Sequence, residues 1–169
     1  MRLEVPFRSA LGSIYLDIFF VFDGMSHGIE LKYKTRFLNA ISKGEEYHLK
    51  DQAAQDLGRY DLLLDVKRIE DLVGQGLTDR GASVFLTNDS AYWKSPRNPD
   101  TIDSDFRLHD GRVVQGNLGW GSKASKGTTN GREAALSIRQ TYRLSWRDYS
   151  EFGGDSYSEL RYLLVTVRI

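Results

Sequence analysis

Ten residues, Ser13 to Phe22 (SIYLDIFFVF), constrain this chain more than any others. They are rich in β-branched and aromatic side chains and read as a strand. Asp23-Gly24 follows, a dipeptide that closes tight hairpins because both of its positions tolerate positive φ. Ile29 to Lys34 (IELKYK) then alternates, with Ile29, Leu31 and Tyr33 on one side and Glu30, Lys32 and Lys34 on the other. After a polar loop, good helix formers predict a helix from about Asp51 to Val73, started at Asp51 and closed by Gly74 and Gly76. Ser83 to Thr87 (SVFLT) is short and nearly all apolar, as in a strand buried on both faces. A helix between hairpin and buried strand implies a crossover that sets this strand parallel to its neighbour.

The rest of the chain adds strands. Pro96 and Pro99 interrupt the stretch after Asn88, Phe106 to Leu108 reads as a short strand, and Gly116 to Gly131 reads as a long loop. Leu136 to Trp146 and Leu160 to Ile169 read as two further strands. No repeat or linker divides the chain, so residues 1–169 are expected to form a single α/β domain with a mixed sheet and one long helix after the hairpin.

Composition excludes several classes. With no cysteine there is no disulfide framework and no thiolate zinc site, and His27, His48 and His109 are too widely spaced for a histidine-only metal site. Ile14 to Phe22 is too short to span a bilayer and contains Asp17. No secretion signal is visible, so a cytoplasmic location and no membrane partner are expected. The 23 basic and 23 acidic residues cancel, unlike the balance of a strongly basic nucleic-acid binder. Their distribution is uneven. Glu45 to Asp79 holds nine acids against four bases, whereas Trp120 to Asp148 holds six bases against two acids.

The chemistry-bearing group is Asp17 with Glu30 and Lys32. Glu30 and Lys32 lie two apart on a strand and project from one face. A two-residue turn at Asp23-Gly24 sets Asp17 opposite Glu30; a four-residue loop sets it opposite Lys32. Either keeps all three on one face, and a bulge breaks the arrangement. Two carboxylates and an ammonium gathered on a sheet are costly unless they bind something. Carboxylate oxygens suit Mg²⁺ or Mn²⁺, which would share its other positions with water and a phosphate, while the lysine orients the water and offsets charge on the phosphate.

The segment SIYLDIFFVFDGMSHGIELKYKT resembles the core of the PD-(D/E)XK superfamily, the restriction-endonuclease-like nucleases. There an Asp ends or follows one strand and a Glu-x-Lys sits on the next, which matches Asp17, Glu30 and Lys32 here. The resemblance implies a restriction-endonuclease-like core, Asp17 and Glu30 as metal ligands, and Lys32 as a catalytic residue. The helix KDQAAQDLGRYDLLLD is similar to the one after this motif, in which a glutamine and a tyrosine often follow; Gln55, as a catalytic residue, and Tyr60 are the nearest matches. Gln52, Gln55 and Arg59 would share a helix face. Tyr60 also falls on a stripe with Ala53, Leu57 and Leu64, as a core residue does. The superfamily usually opens with a helix, and Glu4 in LEVPF resembles its acidic residue. The last third matches no motif that implies a substrate.

Three readings follow, the last a sheet protein unrelated to nucleases in which Glu30 and Lys32 are merely solvated. The first is a metal-dependent endonuclease acting on nucleic acid, with DNA the expected substrate and 5′-phosphate and 3′-hydroxyl products implied by the resemblance. In it Lys123, Lys126 and Arg132 of the Gly/Ser/Lys segment would contact phosphates, and symmetric cutting of duplex would need a homodimer. GWGSKASKGTT lacks the Gly-Lys-Ser/Thr ending of a nucleotide-binding loop. The second is a noncatalytic binding module on the same fold, which the balanced charge favours. Trp93, Trp120 and Trp146 fit core packing better than base stacking.

Overall fold

The computed structural model describes residues 1–9, 12–153 and 156–168. The chain folds as a mixed α/β structure. β1 (Arg2–Ser9), β2 (Gly12–Phe22) and β3 (Met25–Lys34) form an antiparallel meander. A small hairpin of β4 (Leu38–Ser42) and β5 (Glu45–Leu49) precedes α1 (Gln55–Gly74), and β6 (Arg80–Thr87) returns parallel to β3. A 3₁₀ turn (Ser104–Phe106), β7 (Val113–Leu118), the single-turn α2 (Lys126–Thr129), β8 (Leu136–Arg143), β9 (Trp146–Glu151) and β10 (Glu159–Arg168) follow. The main sheet runs β1-β2-β3-β6-β10-β9, and β3-β6 is its parallel pair, as the crossover argument expects.

α1 lies on one face of this sheet, and the β7-β8 hairpin packs against it. Leu62, Val66, Ile69 and Val73 put a continuous apolar stripe into the core. Gly81 of β6 is needed beneath them, because a Cβ there would collide with Ile69. The helix is anchored on its other side by Glu70. That buried carboxylate accepts from the Arg139 and Gln140 backbone N–H groups, both at 2.9 Å, and from Tyr142 Oη at 2.8 Å. Three donors repay its desolvation. Among the described residues, no helix is long and apolar enough to cross a membrane.

Several local expectations change. Residues 2–9 form a strand where the resemblance implied a helix, and Glu4 sits in it with φ +50°. The loop before α1 is largely a hairpin, turned at Lys43-Gly44 with both φ positive. Asp51 does not start the helix; it pairs with Arg36 at 3.0 Å, and α1 begins four residues later. Gly76, at φ +67°, lies just beyond the helix C-terminus. β6 is buried only on alternate residues, because α1 covers a single face of the sheet. Residues 106–108 hold no strand; Phe106 and Leu108 are buried through the 3₁₀ turn instead. The stretch 116–131 contains the end of β7 and a helical turn whose Ser125 side chain accepts from the Thr128 N–H. Residues 136–146 split between β8, which pairs with β7, and the start of β9 in the main sheet. Ile169, the expected end of the last strand, lies outside the described residues.

Candidate functional site

The Asp23-Gly24 turn decides the register. Asp23 (φ +50°) and Gly24 (φ +73°) form a two-residue turn, and Phe22 pairs with Met25. The β2-β3 ladder runs as far as Ile18↔Ile29 and stops one step before Asp17 and Glu30 would pair. On its other edge β2 pairs through Leu3↔Ile18 and Val5↔Leu16, skipping Asp17 again. Leu16 is in the core and Phe19 packs partly against it. The local irregularity frees the Asp17 side chain to act as a ladder partner: its Oδ2 accepts from the Leu31 backbone N–H at 2.6 Å.

Asp17 thereby comes within hydrogen-bonding reach of Glu30. Glu30 is 4% exposed, and its Oε1 is buried with no hydrogen-bond partner. Burial, followed by the charges of Asp65 and Asp17 and the hydrogen bond to Asp17, pushes its carboxyl from 4.5 to about 8, against a smaller opposing effect of Arg68. At neutral pH the group therefore holds its proton unless a cation takes its place. Two residues along β3, Lys32 Nζ lies 2.9 Å from Asp65 Oδ2, and Arg68 Nη1 lies 3.3 Å from Asp65 Oδ1. Burial raises the Asp65 carboxyl, and Lys32 works against that shift. Asp17, Asp65 and Arg68 thus act on Glu30, whereas Lys32 turns to Asp65.

The Glu-x-Lys motif does not point to Asp65; its only trace in the sequence is an acid inside the buried helix stripe Leu62, Asp65, Val66, Ile69, where an apolar residue belongs unless something pairs with it. Among the described residues, no three carboxylate or imidazole groups converge closely enough to hold one ion. If an ion were held here, Asp17 and Glu30 are the two carboxylates that would reach it, and the buried, unpartnered Glu30 Oε1 is the oxygen that could turn to a cation.

Other candidates lie elsewhere. Gln55 Nε2 donates to Asp89 Oδ2 at 2.8 Å, at the start of α1. Gln52 precedes the helix and pins the end of β3, its Oε1 accepting from the Thr35 N–H at 3.0 Å. Arg59 is buried against Asp103 and the Ala91 carbonyl. Tyr60 is core, its hydroxyl donating to the Ala134 carbonyl at 3.0 Å. Arg132 is engaged by Asp61, one helical turn before Asp65, at 2.7 and 3.0 Å. Lys123 and Lys126 are exposed. Trp93 and Trp146 are buried, and Trp120 stacks on Tyr60 at 5.7 Å. The acidic and basic segments also answer each other. Arg132 meets Asp61, and Arg139 meets Asp71 at 2.9 Å, so part of the basic segment's charge is paired with acids of α1. No family model, curated protein or solved structure matches the chain.

Proposed function

We propose that this chain is a metal-dependent phosphodiesterase on a restriction-endonuclease-like core, acting on nucleic acid, with DNA the expected substrate. The observation that carries the reading is the convergence of Asp17 and Glu30, with an orphaned Glu30 oxygen, where β2 and β3 part. Asp17 and Glu30 would hold Mg²⁺ or Mn²⁺, which when bound supplies positive charge at the phosphate and a water of lowered pKa. Glu30 would release its proton on loading, and Asp17 keeps its orientation through the Leu31 N–H. Lys32, drawn toward Asp65, orients the attacking water and offsets charge building on the phosphate. Lys123 and Lys126 would contact flanking phosphates without reading sequence. Cutting both strands of a duplex symmetrically would call for two copies of the chain.

Incubation of plasmid and single-stranded DNA with Mg²⁺ or Mn²⁺ tests this, beside Glu30→Ala and Lys32→Ala. The expected result is cleavage by the parent chain and none by either variant. Cleavage that survives both substitutions refutes the site. One observation favours a noncatalytic module instead: Glu30 is buried and Lys32 already has a partner, as in a structural charge cluster. Calorimetry separates the two, since no Mg²⁺ binding at millimolar concentration with DNA present would assign the cluster to the scaffold.

A further inference from the structure

A cavity of about 480 Å³ opens beyond the carboxyl ends of the parallel strands β3 and β6, beside the first turns of α1. That is where open α/β sheets commonly receive ligands. Arg36 from the end of β3, Arg59 from α1, and Lys94, Arg97 and Arg107 from the segment after β6 all line it. Three carboxylates stand among these five cations, two of them in ion pairs. Asp51 pairs with Arg36, and Asp103 alone serves both Arg59 and Arg107, the latter at 3.2 Å. Asp89, on the wall, accepts from Gln55 Nε2 at 2.8 Å and from the Ala91 N–H at 3.0 Å. Among the described residues, Lys94 and Arg97 have no ion-pair partner.

Five cations against the three carboxylates Asp51, Asp89 and Asp103 leave a net positive cavity, its outer cations Lys94 and Arg97 exposed and its inner ones held by the fold. The Arg59 side chain is 5% exposed, yet its Nε has no partner, and the buried Arg107 Nε has none either. Burial, and then the neighbouring Arg59 guanidinium, hold Arg107 below its usual range. Two desolvated guanidinium groups side by side, with one carboxylate between them, leave a field that an anion would neutralise. Guanidinium forks approaching from several elements suit a tetrahedral dianion with three terminal oxygens better than a planar carboxylate with two. The volume also lies within the range of pockets that hold nucleotide-sized ligands.

We propose that this cavity binds a terminal phosphate monoester, carried by a nucleic-acid strand end or by a free nucleotide. The inference does not depend on the Asp17–Glu30 site, and its test excludes metal. Affinity is measured in EDTA at 0.15 M salt for a 5′-phosphorylated oligonucleotide, the same oligonucleotide ending in a 5′-hydroxyl, a 5′-mononucleotide and inorganic phosphate. The phosphorylated strand or the mononucleotide is expected to bind at least tenfold more tightly than the hydroxyl strand. The double variant Lys94→Gln/Arg97→Gln, two exposed positions whose fold is checked by circular dichroism, is expected to abolish that difference. Preference for the phosphorylated strand identifies a strand end as the source, and binding confined to the mononucleotide identifies a free nucleotide. Binding of inorganic phosphate alone shows an adventitious anion site and overturns the proposal. So do equal, measurable binding of both oligonucleotides, binding of none of the four probes, and a phosphate preference that the double variant leaves intact.

Discussion

Glu30→Gln should make the protein more stable at alkaline pH while removing a metal ligand. The folded chain holds the Glu30 proton up to about pH 8, whereas the unfolded chain releases it near 4.5. Between those values the native state carries one more proton than the unfolded state, so stability falls as pH rises, by about 1.4 kcal/mol per pH unit. The window spans about 3.5 pH units, and its full expression amounts to about 5 kcal/mol. Below the window the parent carboxyl is protonated in both states; above it the whole penalty is present. Glutamine keeps the shape of the protonated acid and does not titrate. Urea unfolding of both proteins in EDTA, from pH 4 to pH 9, reads the difference directly. The parent chain should lose ground to the variant steadily from about pH 5 and level off above pH 8. A difference that stays flat with pH would show that Glu30 ionises freely, and the argument for a proton-or-cation site would fail with it. Millimolar Mg²⁺ at pH 8 should then restore the parent and leave the variant unmoved.

Further expectations follow from the packing. Gly58→Ala, which in an exposed helix would stabilise by roughly 1 kcal/mol, should instead destabilise by about 1–3 kcal/mol in chemical denaturation, because the new methyl would collide with the Tyr92 hydroxyl and sit 3.2 Å from its Cζ. Tyr142→Phe removes one of three donors to the buried Glu70 and should cost about 1–2 kcal/mol in the same assay. Arg132→Ala breaks a half-exposed pair with Asp61, and a double-mutant cycle should return a coupling of about 1 kcal/mol or less.

What could be read along the chain was governed by neighbours in sequence. Asp23-Gly24 announced a tight turn, and the turn set the β2-β3 register from Phe22↔Met25 to Ile18↔Ile29. The long helix and the apolar run after it implied the parallel return of β6. The β4-β5 hairpin left a local trace as well, because Lys43-Gly44 separates two short alternating runs, yet its polar composition concealed it. Other features had no local trace. The gap in pairing at Asp17 arises where β1 and β3 both release β2, which depends on two ladders at once. The basic stretch resembled a binding surface because its acidic partners lie about 70 residues earlier, on α1. The five cations of the cavity at the ends of β3 and β6 are spread from Arg36 to Arg107, and no window of sequence contains them together.

Asp65 changes what the loss of Lys32 would mean. A lysine 2.9 Å from a buried carboxylate has a structural duty, and removing it leaves Asp65 facing Arg68 at 3.3 Å alone. Breaking a buried pair from one side costs about 3–5 kcal/mol, and the quarter exposure of Lys32 puts this case at the lower end. Loss of cleavage in Lys32→Ala could therefore come from the fold as readily as from the chemistry. Asp65→Asn separates the two, because it removes the stranded charge and should restore most of the stability of Lys32→Ala. If Lys32 serves the phosphate, the double variant regains its unfolding midpoint and remains inactive. If cleavage returns with the midpoint, Lys32 does no more than neutralise Asp65, and the water-orienting role must move to another group.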